Sequence, residues 1–293
     1  MGGRGHGATL EVIADYHTHT IFSHGQGTVR LNAQAAARSG LRQLGIADHG
    51  PAMRWGLGVE SLETFETIRR DIRDINEVSG TYRGLSVLLG CEANIIDFEG
   101  NLDIPPWLQN DLDVVLAGFH VQIRPRSLTQ GMRYLVDRAL SGMSSYVAKR
   151  ERIRNTDVVT AALINNKIDI LTHPGLRINI DTAELAKVSV QTGTLLEINC
   201  HHDDAMLAFV KVAARCGARF VISSDAHNPD QIGQYERGLE VARKAGLCSE
   251  QIVNVIAKGE DPEPKLARFR PSTHLTGSAK KRSDMSKDLH EYK

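Results

Sequence analysis

Short apolar runs recur along the chain and alternate with longer amphipathic stretches. The runs cover Val12–Tyr16, Leu44–Ala47, Ser86–Glu92, Asp113–Ala117, Ile168–Leu171, Leu195–Ile198 and Arg219–Ile222. Most lack the strict alternation of a half-exposed strand, as expected for strands covered on both faces. Between them the pattern predicts helices over Leu31–Ser39, Glu60–Ser79, Gln130–Arg152, Thr156–Asn166, Ala183–Thr192, Asp204–Cys216 and Asp230–Ala245. In Glu60–Ser79, for example, Leu62, Phe65, Ile68, Ile72 and Ile75 recur at helical spacing, which marks an outer helix with one face on a core. Glycines such as Gly40, Gly193, Gly217 and Gly246 close several of these segments. Strands alternating with helices predict parallel pairing through right-handed crossovers. Seven such units favour a closed α/β barrel over an open sheet.

The barrel is expected over residues 11–258, after a flexible N-terminus (1–10) and before a polar tail (259–293) expected to be disordered. One stretch exceeds what a crossover needs. His120 and His173 lie 53 positions apart, and the surplus, residues 128–155, reads as a helical insertion. It is either a cap over a site, a contact in a homo-oligomer, or an extended surface helix.

Bulk composition narrows the function. The 293 residues are 41% hydrophobic and carry zero formal net charge. There is thus no overall basic field to collect nucleic acid. No apolar run approaches the ~18 residues of a membrane span, and the Gly-rich N-terminus lacks the apolar stretch of a signal peptide. Cys91, Cys200, Cys216 and Cys248 form no C-x-x-C pair. They read as reduced thiols of a cytoplasmic protein.

The chemistry lies at the ends of the apolar runs. There stand His17 and His19 in DYHTHT, His24 in FSHG, His49 in IADHGP, Glu92 in LLGCEAN, His120 in LAGFH, His173 in LTHPG, and Asp225 and His227 in ISSDAH. Strand C-terminal ends are where barrel enzymes build active sites. The two-residue period of a strand points His17 and His19 the same way. Imidazole and carboxylate are ligands for Zn, Mn or Fe. Nine of them are too many for one ion and point to a polynuclear site, and such sites mostly hydrolyse phosphate esters. A lone histidine at a strand end is usually an ordinary polar residue, and only the whole set reverses that reading. Arg124, Arg126 and Arg177 follow ligand candidates closely and could receive a phosphate, although each alone fits a surface role. Asn199 is placed to orient a bound group, and Arg54 and Trp55 could pack on a substrate ring. His201 and His202 could line the rim. Asp15 and Asp48 are candidates to fix imidazole tautomers. Cys91 should point away from the site by strand alternation.

Taken together, DYHTHT, IADHGP, CEAN, GFH, THPG and SSDAH resemble the PHP family, named for polymerase and histidinol phosphatase. The resemblance covers roughly residues 12–255, and six motifs in order make it specific. The small stand-alone phosphatases with a trinuclear centre are the most similar members. The resemblance implies a distorted (β/α)7 barrel with three divalent metals at its C-terminal face. His17, His19, Glu92 and Asp225 would hold a first metal. Glu92 would bridge to a second, completed by His120 and His173, and His24, His49 and His227 would hold a third. Glu92 and Asp225 would be central to catalysis. The implied reaction is hydrolysis of a small phosphomonoester by a metal-bound hydroxide. Two other readings stay open: a PHP-type nuclease or phosphodiesterase, and a non-catalytic, metal-stabilised partner module. The amidohydrolases share the initial HxH, but Glu92 and the DAH ending favour PHP.

Overall fold

The computed structural model describes residues 10–77, 82, 84–176, 178–201 and 205–269. The N-terminal stretch 1–9 and the tail from 270 onward lie outside the described residues. The strands are β1 (Leu10–Val12), β2 (Ala14–Thr18), β3 (Gln43–Ile46), β4 (Ser86–Asn94), β5 (Val114–Gly118), β6 (Ile170–Leu171), β7 (Leu195–Asn199), β8 (Phe220–Ser223) and β9 (Val255–Ala257). The helices are α1 (Val29–Arg38), α2 (Thr64–Glu77), α3 (Pro106–Asp111), α4 (Leu128–Ser141), α5 (Ser145–Asn165), α6 (Thr182–Thr192), α7 (Ala205–Arg215), α8 (Glu236–Ala245) and α9 (Glu263–Leu266).

Strands β2 to β8 form one parallel sheet in sequence order. Its outer members approach each other where Thr18 bridges Ala226 and the His19 amide donates to the Ala226 carbonyl at 2.8 Å. Below that point the side chain of Asn254 spans the seam. It donates to the carbonyls of Ala14 (2.7 Å) and Ile222 (2.6 Å) and accepts from the Ile222 amide (3.0 Å). The result is a nearly closed seven-stranded α/β barrel, as the pattern of apolar runs predicts.

Alternation along the strands sorts the core into two layers. Leu89, Cys91 and Ala93 of β4, and Leu196 and Ile198 of β7, pack outward against the helices. Leu88 and Leu195 turn into the lumen with Tyr16, Leu116, Ile170 and Val221. Farther along those same inward rows come Glu92 and then Glu197. Each row is therefore apolar at the bottom of the barrel and acidic at the top, which places the chemistry at the strands' C-terminal ends.

The bottom of the lumen is closed by chain that lies within the expected tail. Leu266 and Phe269 are buried in the inner core, and the Phe269 ring meets Tyr16 edge-on at 4.7 Å. Gln43 donates to the carbonyls of Leu266 (3.1 Å) and Phe269 (2.8 Å), while Lys265 donates to the Ile252 carbonyl (2.9 Å) and to those of Ser249 and Val255. Residues 259–269 thus fold against the barrel. Their few apolar side chains are too sparse to register as a pattern, yet Leu266 and Phe269 land on the open floor.

Other boundaries move as well. The run Val12–Tyr16 divides, because β1 turns aside to pair antiparallel with β9. The helical segment Gln130–Arg152 is two helices that break at 142–144, where the Ser144 hydroxyl accepts from the Val147 amide and starts α5. Helix α5 then runs through 153–155, where a break was expected. The insertion is thereby a helical hairpin. It is stapled by Asp137, which is buried on α4 and bonded to Arg150 (2.7 Å) and Arg154 of α5. The segment Asp230–Ala245 begins with a short 3-10 turn capped by Asn228, and α8 starts only at Glu236. Among the described residues, no helix is long and apolar enough to cross a membrane.

Candidate metal centre

All nine predicted ligands converge at the top of the barrel. The carboxylate of Glu92, at the end of β4, is the hub. Its Oε1 lies 2.9 Å from His173 Nε2 and 3.3 Å from His120 Nε2. Its Oε2 lies 2.8 Å from His49 Nδ1, 3.3 Å from His17 Nε2 and 3.7 Å from His19 Nε2. Asp225 Oδ1 closes the opposite side, 3.4 Å from His17 Nε2 and 3.3 Å from His19 Nε2. His24 stacks beside His49 and His227, with ring centroids 5.0 and 4.2 Å away.

The turns that deliver these groups are strained. His173 and Asp225 both have left-handed backbones, with φ of 28° and 53°. Such conformations cost of order 1–3 kcal/mol and are held by their surroundings. Here the His173 amide donates to Glu197 Oε2 at 2.7 Å, and Asn199 donates to Asp225 Oδ2 at 3.1 Å.

Four of the imidazoles are oriented through the far nitrogen. His17 Nδ1 donates to Glu197 Oε1 (2.7 Å), His120 Nδ1 to Asn94 Oδ1 (2.8 Å), His24 Nδ1 to the Leu57 carbonyl (3.1 Å) and His227 Nδ1 to the Asp225 carbonyl (2.8 Å). These tautomers follow from the partners, and they leave Nε2 as a lone pair. The lone pairs of His17 and His120 therefore face the nitrogens of His19 and His173 at 3.1 and 3.3 Å. His49 Nδ1 is buried close to Glu92 yet off the line of a hydrogen bond. His173 Nε2 is within hydrogen-bond distance of Glu92 Oε1, but more nitrogen and carboxylate ligand atoms gather here than protons can pair, and such a set fits divalent cations. Among the described residues, three overlapping sets bring ligand atoms close enough for one ion: His17–His19–Glu92, His49–Glu92–His120 and His19–His49–His227.

The electrostatics agree with that fit. Burial disfavours charge on Glu92, but the imidazoles of His49, His17 and His120 outweigh it and hold its carboxyl well below the usual range. Burial pushes His49 down to about 4 and His19 well below the ordinary imidazole value, so both stay neutral donors. His17 differs. Burial opposes its protonation, yet Glu197, Asp225 and Glu92 together hold its pKa well above the ordinary value.

The PHP domain model matches residues 15–224. The chain belongs to the PHP family. Among its relatives, a Clostridium botulinum protein named probable phosphatase is 31% identical over 257 residues, covering 84% of this chain and 91% of that one. One from Acetivibrio thermocellus, named likewise, is 29% identical over 271 residues, covering 89% and 98%. Of solved structures, a Listeria monocytogenes protein whose suggested activity is histidinol phosphatase matches with a TM-score of 0.55 at 16% identity, covering 75% and 97%. At that identity the likeness speaks to the fold alone.

Within this PHP fold, several expected roles shift. Asp48 and Asp15 do not orient imidazoles. Asp48 accepts from the amide and hydroxyl of Thr20 and from the Ser23 hydroxyl, which fixes the turn between His19 and His24. Asp15 accepts from Ser224 and Tyr235, holding the approach to Asp225. The tautomer partners are Glu197 and Asn94, which the sequence reading passed over in that role. An acid inside the apolar run LLEIN was the available signal, because a buried charge requires a partner. Neither Arg124 nor Asn199 lines the cavity above the ligands or its neighbour. Asn199 is instead buried, donating to Glu197 and Asp225 and accepting from the His201 amide. Arg177 and His202 lie outside the described residues. His201 does reach the rim. The cavity of about 360 Å³ is lined by site histidines with Met53, Leu57, Phe119 and Leu176, and no Lys or Arg is among its described lining residues.

Proposed function

We propose that this PHP protein is a metal-dependent phosphomonoesterase acting on a small phosphorylated metabolite, with three divalent ions (Zn, Mn or Fe) at the barrel top. The observation that carries the reading is the convergence of seven imidazoles and the Asp225 carboxylate around Glu92. The names of its relatives point the same way. The described residues of the cavity wall include no Lys or Arg, which supports bound ions as partners for the charge of a phosphate. Those ions would supply an activated water and charge neutralisation at neutral pH.

The chain's own residues would do the rest. Glu92 divides its oxygens between the His120–His173 side and the His17–His19–His49 side, so it sets the spacing of the ligand groups. Asp225 and His17 complete the deepest group. Glu197 holds the His17 tautomer, and the enclosing wall limits water around the ester. A cavity of this size suits a small molecule rather than a polynucleotide. The free thiols fit a reducing, cytoplasmic setting.

The test is phosphate release from a panel of phosphomonoesters by protein loaded separately with Mn, Zn and Fe, against an Asp225→Asn control. We expect release from a few compounds and a loss of at least about 100-fold in the variant. Cleavage of labelled single-stranded DNA by metal-loaded protein that releases no phosphate would overturn the reading.

A further inference from the structure

A second cavity, of about 350 Å³, adjoins the first and shares Phe119, His120 and Val121 with it. Its wall is mainly apolar, with Trp55, Ile96 and Phe98 beside Met132, Tyr134 and Leu135 of α4, and it also carries Arg54 and Asp97. The 128–155 insertion therefore builds about a third of it.

The walls are fixed in place. Gln130 Oε1 accepts from the Phe98 amide at 2.9 Å, tying α4 to the loop after β4. Met53 bridges Ile123, the Arg54 amide donates to the Gln122 carbonyl at 3.0 Å, and the Arg124 amide donates to the Ala52 carbonyl at 2.8 Å. That short antiparallel pairing holds the Trp55 loop beside His120. Trp55 itself is 74% exposed and has a left-handed φ of 58°. A large aromatic in a strained backbone, displayed to water beside a reactive centre, points to a ligand contact. Met132 and Leu135 are likewise exposed, at 61% and 54%. Apolar surface left open beside a preformed cavity marks a binding site.

We infer that this cavity is the leaving-group subsite, and that the physiological substrate is a phosphomonoester of an alcohol carrying an aryl or comparably bulky apolar group. The inference rests on the phosphatase reading. The phosphate would sit at the ions that Glu92, His120 and His173 would hold, and the ester oxygen would direct its organic group past His120 between Trp55 and α4. Hydrolysis breaks the phosphorus–oxygen bond to that group. Water gives its hydroxyl to phosphorus and its proton to the departing alkoxide.

The experiment compares 3-phenylpropyl phosphate with propyl phosphate, two alkyl esters of similar leaving-group acidity. We expect kcat/KM to favour the phenylpropyl ester by about 10-fold or more. That ratio should fall toward one in Leu135→Glu and in Trp55→Gly, whose backbone suits glycine. Equal rates in the parent protein, or a ratio that both variants preserve, overturn the inference. Calorimetric binding of 3-phenylpropanol requires no turnover. If neither ester releases phosphate, the phosphatase reading has failed, and saturable alcohol binding lost in both variants still supports the subsite. Absence of that binding overturns it. Sedimentation velocity covers the remaining occupant: a dimer dispersed by Leu135→Glu with the ester ratio unchanged makes this face an interface between copies and also overturns the proposal.

Discussion

Glu197 illustrates what one buried acid does here. Its two oxygens accept from His17 Nδ1 and from the His173 amide, so it sets a tautomer and a strained turn together. In Glu197→Gln an amide hydrogen can face His17 Nδ1 and drive the ring proton to Nε2, the nitrogen that faces the other ligands. We expect metal affinity to fall about 10- to 100-fold, measured by chelator competition. Unchanged affinity in a folded variant would show that Glu197 is only packing. The candidate ligands were legible because each sits in a short motif at or just past a strand end. Glu197 was not, since its function depends on a partner 180 positions away.

Among the elements, β5 ends at Gly118 because His120 folds back over it. A Cβ there would lie 2.4 Å from His120 Cε1 and 2.9 Å from Thr172 Oγ1. Gly118→Ala should therefore push the His120 ring aside at little cost in stability. The expected result is one fewer metal per chain by elemental analysis, with Tm of the metal-free protein changed by less than about 3 °C. Full metal content would refute it. The segment carrying α9 acts on stability instead. Phe269 fills the floor of the lumen, and Phe269→Ala should cost about 3 kcal/mol in denaturant unfolding. A cost below about 1 kcal/mol would mean that the floor is not held by this ring. Periodicity revealed the seven barrel strands and the longer helices, because each repeats its own signal over several residues. It did not reveal the floor segment or the break at 142–144, which depend on one ring, one lysine and one serine cap.

For the molecule as a whole, metal bound at this cluster would be coupled to the fold. Ions that bind the native cluster and not the unfolded chain stabilise by about 4 kcal/mol at a thousand times Kd. Chelation should then lower Tm by several degrees, and re-addition should restore it. An unchanged Tm, with metal loss verified, would sink this coupling. Protons compete for the same lone pairs. Burial opposes a proton on His17 and on His173, but Glu197, Asp225 and Glu92 win at the first, and Glu92 with Glu197 and Asp225 at the second, so both pKa values are raised. Metal affinity should therefore weaken as pH falls, beginning above the ordinary imidazole value, and titration at pH 8, 7 and 6 checks the sign.

The sequence by itself determined the barrel, its order of strands and which histidines and acids stand at its upper rim. Apolar periodicity and strand-end position are local properties, and a parallel sheet built in sequence order brings all strand ends to one rim. Tertiary structure alone decided how Glu92 divides its oxygens, which acids orient imidazoles and which merely hold turns, and what the insertion encloses. Those outcomes depend on distances of a few ångströms between residues far apart in the chain, and no local pattern encodes such distances.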